Sequence, residues 1–142
     1  MRANLKFFKS VGILKLNTAI KEYESLLVFT IEDYSDLSAP STNYSLKNPS
    51  ITIFVIEGII DSIACYEELF YKDKNLLGIT IEEFMDFTKE IPSEEVDELN
   101  FEHDDIPQFV YEFEKIGLQV WSKGKKGKIV TVIVNSKEHY FE

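Results

Sequence analysis

Residues 108–136, QFVYEFEKIGLQVWSKGKKGKIVTVIVNS, predict a three-stranded antiparallel meander. Aromatic side chains occupy positions 109, 111 and 113, and this alternation is typical of a half-buried strand. Ile116-Gly117 and the lysine–glycine run at 123–127 then supply two turns. Residues 129–134 are all β-branched, so we expect the last strand in the middle of a covered sheet.

The first half of the chain predicts two helical segments followed by three strands. Asn17 or Thr18 can cap the first helix, whose apolar face would carry Ile20, Tyr23, Leu26 and Leu27. A short helical turn is predicted at residues 32–37. Strands are predicted at residues 44–46, 51–56 and 59–66.

The same order of elements recurs in the second half. Residues 16–23, LNTAIKEY, match residues 77–84, LGITIEEF, at an offset of 61, and residues 32–37 match residues 94–99 at an offset of 62. Strand residues match at larger offsets: Tyr44 with Tyr111 and Phe54 with Trp121 at 67, and Ile59 with Ile129 at 70. We therefore predict one domain, residues 1–142, built of two repeat units at about 12–71 and 75–141. The predicted fold class is α+β, a tandem helix-helix-β-meander repeat with antiparallel sheet and helices on one face.

The segment LGITIEEF contains a capping box, Thr80 to Glu83, which predicts that a helix starts at Thr80. Followed by a helical hairpin and a strand meander, this segment resembles the unit of β-lactamase-inhibitor-protein-like and outer-membrane-lipoprotein (SmpA-like) folds, which occurs in tandem copies. In size, acidity and lack of a catalytic motif, the chain is also similar to the immunity proteins of bacterial toxin–immunity pairs, including contact-dependent and polymorphic toxin systems.

The charge balance favours a cationic macromolecule as the partner. The chain has 25 Asp and Glu against 15 Lys and Arg, a net charge of −10. Direct binding to nucleic acid is disfavoured because phosphate contacts need a basic face. No apolar run approaches the ~20 residues of a membrane span, and the N-terminal residues lack the continuous apolar region of a secretory signal. We expect a cytoplasmic protein that does not bind membranes.

The most acidic segment spans residues 90–105, and no Lys or Arg occurs between positions 90 and 114. Three interpretations stay open for it: a solvated face beside a helix N-terminus, a docking surface for a basic protein, or a carboxylate site for a divalent metal. The metal interpretation would use residues 102–105, but four consecutive residues cannot all converge on one ion.

The sequence offers little for catalysis, and we expect no enzyme activity, cofactor or metal. The single cysteine, Cys65, and two histidines, His103 and His139, are too few for a zinc site, and a buried, inert thiol is the expectation for Cys65. No nucleophile-elbow, phosphate-loop or zincin motif occurs. The lysines at 123–128 fit a solvated hairpin turn or, as the alternative, a phosphate grip.

We predict a non-enzymatic binding protein that neutralises a toxin domain, such as a nuclease, by covering its basic active-site surface. Trp121 is either an interface anchor on an open sheet face or, if helices cover that face, a core residue. The predicted partner-binding residues are Glu98, Glu102, Asp104, Asp105, Tyr111 and Trp121. The alternative function is a cytoplasmic regulatory or scaffold module. A small-molecule site would need a pocket with converging polar groups.

Overall fold

The computed structural model describes residues 1–33, 41–93, 97–99 and 106–138. Thirteen strands, one 3-10 helix and one α-helix lie in these residues. The strands are β1 Leu5–Lys6, β2 Ser10–Val11, β3 Leu14–Lys15, β4 Thr30–Asp33, β5 Thr42–Lys47, β6 Ser50–Ile56, β7 Ile59–Cys65, β8 Phe70–Tyr71, β9 Lys74–Asn75, β10 Asp97–Leu99, β11 Gln108–Phe113, β12 Leu118–Lys123 and β13 Ile129–Asn135. The 3-10 helix is Ile20–Glu22, and α1 is Ile81–Thr88.

An eight-stranded antiparallel sheet organises the molecule, in the order β10-β11-β12-β13-β7-β6-β5-β4. Each half of the chain contributes a four-stranded meander, and the two meanders join where β7 pairs with β13. The strands predicted in both halves are confirmed, and β13 lies near the middle of the sheet as expected.

One face of this sheet forms the core because successive side chains of a strand point to opposite faces. Positions 51, 53 and 55 of β6 are buried, as are positions 118, 120 and 122 of β12 and positions 132 and 134 of β13. Residues between these positions are half-buried on the opposite face. The sheet is therefore packed mainly on one side.

Three pieces cover the core face: the N-terminal sheet β1-β2-β3, the β8–β9 hairpin and helix α1. Phe84 of α1 is fully buried and contacts Phe113 of β11 edge-to-face, with ring centroids 4.9 Å apart. Phe7, Tyr71 and Phe87 form a second aromatic group that ties the N-terminal segment to the hairpin and to α1. One continuous hydrophobic core results.

The predicted α+β class, with its tandem helix-helix-β-meander repeat, is wrong, because the structure is mostly β with a single α-helix among the described residues. In place of the helix predicted after Asn17 or Thr18, the structure has the 3-10 helix Ile20–Glu22. Of the predicted apolar face, Ile20 and Tyr23 are buried, whereas Leu26 is 65% exposed. Residues 30–33 and 97–99, expected at least in part to be helical, are the edge strands β4 and β10. The remaining residues of those two predicted turns, 34–37 and 94–96, lie outside the described part of the chain.

The helix predicted at Thr80 is confirmed, and it has a side-chain cap that the corresponding segment in the first half lacks. Thr80 is the N-cap of α1, and its hydroxyl accepts the backbone N–H of Glu83 at 3.2 Å. At the offset of 61, Ala19 takes the place of Thr80, and it is the N-cap of the 3-10 turn without a side-chain hydrogen bond. Since Ala cannot satisfy the free N–H groups of a helix start, the first segment lacks this stabilisation.

Matched residues of the two halves occupy equivalent places in the sheet. Tyr44 pairs with Ile53 as Tyr111 pairs with Val120, all on the core face. The pairing register shifts after Phe54 of β6, where Asp61 of β7 is skipped, and after Trp121 of β12, where Val130 of β13 is skipped. The two meanders are thus related by an approximate two-fold axis between β7 and β13.

The predicted offset of 70 for the last strand is wrong by one residue. The N–H of Asn17 donates to Ile60 O at 2.8 Å, and the N–H of Gly78, the residue matched with Asn17, donates to Ile129 O at 2.9 Å. Ile60 therefore matches Ile129, which is an offset of 69. The predicted match of Ile63 with Ile133 would place a fully buried residue on the opposite face, as any one-residue slip of a strand does.

Candidate protein-binding face

The side of the eight-stranded sheet opposite the core, here called the outer face, carries a cluster of large apolar side chains. Cross-strand pairing places Trp121 beside Val110 and Thr131, and Ile133 beside Ala64. Phe54 lies on the same face, directly before the register shift in the pairing of β6 with β7. Apolar groups on a sheet face are usually buried against another layer, so this cluster is the strongest feature for partner binding.

A concavity of about 360 Å³ lies at the centre of the outer face. Its described lining residues all belong to the sheet or directly follow it: Phe54, Ala64, Tyr66, Gln108, Trp121, Thr131 and Ile133. Ala64 is 1% exposed among these larger neighbours, and its small side chain leaves space above β7. The concavity therefore has aromatic groups from both halves of the chain around an aliphatic floor.

Hydrogen bonds fix the orientation of two of these aromatic rings. The indole Nε1–H of Trp121 donates to Gln119 Oε1 at 2.8 Å, and Gln119 Nε2 donates in turn to Glu112 Oε1. The Tyr66 hydroxyl donates to Thr52 Oγ1 at 3.0 Å. Rings held in place before binding lose less conformational entropy when a partner arrives.

Tyr111, predicted to bind the partner together with Trp121, lies on the other side of the sheet. Tyr111 is 6% exposed, and its hydroxyl donates to the backbone oxygen of Lys125 at 2.8 Å, which ties β11 to the lysine turn. One flat partner on the outer face therefore cannot contact both side chains. Trp121 is half-buried on the outer face, where the sequence analysis allowed an interface anchor.

Glu98 is exposed on the edge strand β10, opposite Phe109 of β11. It lines a groove of about 380 Å³ between α1 and the sheet edge, together with Tyr111 and with Ile81, Glu82, Met85, Phe109, Lys125 and Lys126. The structure thus brings Glu98 and Tyr111 together, away from Trp121. Glu102, Asp104 and Asp105 lie outside the described residues.

Phe54, Tyr66 and Ile133 were absent from the residues selected by sequence reasoning. A signal for one of them was present, because Phe54 matches Trp121 at the repeat offset of 67. A strand position equivalent to a candidate anchor is itself a candidate when the two meanders form one sheet. Tyr66 and Ile133 reach the concavity through long-range pairing of β7 with β13, which no local pattern shows.

Cys65 is buried on the core face, as expected. Burial, with a smaller contribution from the charge of Glu68, raises the pKa of its thiol to about 12. A thiolate is the reactive form, so this cysteine is inert at neutral pH. Within the described residues, no three His, Cys, Asp or Glu side chains are grouped to hold a metal ion. His103 and His139 lie outside those residues.

The raised pKa of Cys65 predicts a loss of stability in alkali. The unfolded chain releases the thiol proton near pH 9.0, whereas the folded chain keeps it until about pH 12, so ionisation favours unfolding between these values. Compared with Cys65→Val, the wild type should lose free energy of unfolding by up to about 1.4 kcal/mol per pH unit in this window. Urea titrations across this pH window measure the free energy of unfolding of both proteins. The difference between the two proteins removes the contributions of Tyr and Lys, which both share. Parallel pH profiles would contradict the assignment.

No family model matches the chain, and neither the curated proteins nor the solved structures compared with it include a match. Among the described residues, no helix has the length and apolar character needed to cross a bilayer.

Proposed function

We propose that this protein is a non-enzymatic, cytoplasmic binding protein that neutralises a toxin domain by covering its basic active-site surface. The observation that carries the proposal is the aromatic concavity of the outer face, to which Phe54 of β6, Tyr66 directly after β7 and Trp121 of β12 contribute. Large aromatic side chains in a partly enclosed site are the usual anchors of protein interfaces.

The charge of the chain supports a basic partner. A net charge of −10 attracts a cationic surface from a distance and speeds association, whereas the apolar contacts at the centre set the dissociation rate. A toxin that cleaves nucleic acid has such a cationic surface, because its substrate is a polyanion. This pairing of charge and apolar anchor favours a nuclease as the toxin.

Glu98 lines the groove on the core side of the sheet edge, so its charge attracts a basic partner from a distance rather than by direct contact on the outer face. Strand β10, which carries Glu98, is two strands from β12, which carries Trp121, a separation of about 10 Å. The carboxylates of the segment 94–105, including Glu102, Asp104 and Asp105, are proposed to guide the approach of the basic partner.

Capture of the partner tests the proposal. The tagged protein is used to isolate partners from its source cells, and the captured protein is then co-expressed with the wild type or with Trp121→Ala in a host. We expect a toxin-like partner that arrests growth, protection by the wild type, and binding about 30-fold or more weaker for Trp121→Ala. Raised salt should slow association.

A matched control is Val28→Ala, because Val28 is 92% exposed and lies outside the concavity. This variant should protect as well as the wild type. Equal loss of protection in both variants would show that the effect is not specific to the outer face. A captured metabolic or regulatory protein without toxicity would replace the proposal with the scaffold function.

A further inference from the structure

We propose that the concavity of the outer face receives an arginine side chain of the partner. This inference rests on the proposed function and adds the chemistry that the site recognises. The concavity is lined by three aromatic side chains, those of Phe54, Tyr66 and Trp121, together with the small side chain of Ala64. Arginine is the protein side chain that best combines a positive charge with a flat surface for stacking.

The aromatic rings supply the main attraction. The face of an aromatic ring carries partial negative charge, and an indole is the strongest ring for binding a cation. Trp121 is held by its hydrogen bond to Gln119 and Tyr66 by its hydrogen bond to Thr52, so both rings are oriented before the cation enters. An aliphatic pocket would lack this preference for a cation.

The polar groups of the concavity fit a guanidinium. Gln108 and Thr131 line it, and each has an oxygen that can accept an N–H of the ligand. No Lys or Arg is among the described lining residues. Lys123 is the cross-strand neighbour of Gln108 and is exposed. Solvent and salt therefore screen the repulsion between its positive charge and a bound arginine.

The net charge of the protein favours the same ligand. At −10, the chain attracts cationic surfaces and repels acidic ones, so a basic partner brings arginine side chains to the outer face at high local concentration. Glu112 adds a carboxylate beside the site, since it accepts the hydrogen bond of Gln119. The arginine therefore contacts aromatic rings with negative charge nearby.

The single tryptophan of the chain gives a direct readout of this site. The indole N–H of Trp121 has a unique signal in a proton–nitrogen correlation spectrum, which is followed while N-acetyl-arginine amide is added to the full chain. We expect a saturating shift with a dissociation constant on the order of 1 mM, because one side chain carries only part of an interface. N-acetyl-citrulline amide, which has the same shape without the charge, should bind at least about 3-fold more weakly.

Two variants at Tyr66 separate the ring from the hydroxyl. Tyr66→Leu removes the ring and should weaken arginine amide binding by about 3-fold to 30-fold, whereas Tyr66→Phe keeps the ring and should bind nearly as the wild type. Both leave the Trp121 signal in place. Tyr66 is 39% exposed, so neither change empties the core.

Equal shifts with the arginine and citrulline amides would overturn the inference, and so would the absence of any shift. A response to N-acetyl-leucine amide alone would also overturn it, and would assign an apolar anchor to the partner. These outcomes leave the proposed function to be judged by capture and protection with Trp121→Ala. Failure of the arginine assignment is thus distinguishable from failure of partner binding.

Discussion

Phe84→Ala should destabilise the protein by about 3–5 kcal/mol, the usual cost of removing a buried phenylalanine. Phe84 is fully buried at the junction of α1 with the sheet, where it contacts Phe113. The eight-residue helix is too short to be stable alone, so packing of its apolar face holds it on the core. The change leaves a cavity between helix and sheet, and urea denaturation followed by circular dichroism measures the loss.

Met85→Ala is the matched control on the same helix. Met85 is half-buried and packs at the margin of the core, so its truncation should cost about 1 kcal/mol. Both changes leave a good helix former, which removes intrinsic helix preference as the cause. Equal losses for the two variants would show that α1 is not anchored through Phe84.

Local patterns predicted the strands and α1 correctly because local interactions form them. The alternation at 108–113 matches β11, the β-branched run matches β13, and Thr80 supplies the hydroxyl that caps α1. Each of these signals lies within a few residues of the element it specifies. The prediction of a meander in each half depended on the same short-range information.

The first helix was predicted wrongly because long-range pairing overrides its apolar spacing. Asn17 and Thr18, the proposed caps, instead use backbone groups to pair with Ile60 at the start of β7. The N-cap position then falls on Ala19, which has no side-chain oxygen. Which distant strand a segment pairs with is not encoded in its own periodicity, so no local pattern shows this outcome.

The candidate site could be predicted only in part for the same reason. Trp121 was selected because it alternates with buried positions along its strand, a local signal. Tyr111 was also selected, but β12 pairing puts it on the core face with Val120. Phe54 and Tyr66 join Trp121 because two meanders merge through β7 and β13, and this merging is a tertiary event.

Gly117→Ala should destabilise the protein by about 2–5 kcal/mol, since it combines backbone strain with overpacking. Gly117 has φ +71 in the turn between β11 and β12. A methyl group there would lie 2.6 Å from the Phe8 ring and 2.9 Å from the backbone oxygen of Asn135. The backbone can move little away from this contact, because the N–H of Asn135 donates to Gly117 O at 2.8 Å.

Gly58→Ala separates the two causes, because Gly58 has φ +79 in the turn between β6 and β7 and no atom within 4 Å of an added methyl. Only the strain of a left-handed residue remains there, about 1–2 kcal/mol. Both glycines lie in turns between adjacent strands of the same sheet, so the difference between the variants measures the overpacking of Gly117 against Phe8 and Asn135. Urea denaturation of both variants gives this difference. A Gly117→Ala loss no larger than that of Gly58→Ala would mean that Phe8 does not pack against this turn.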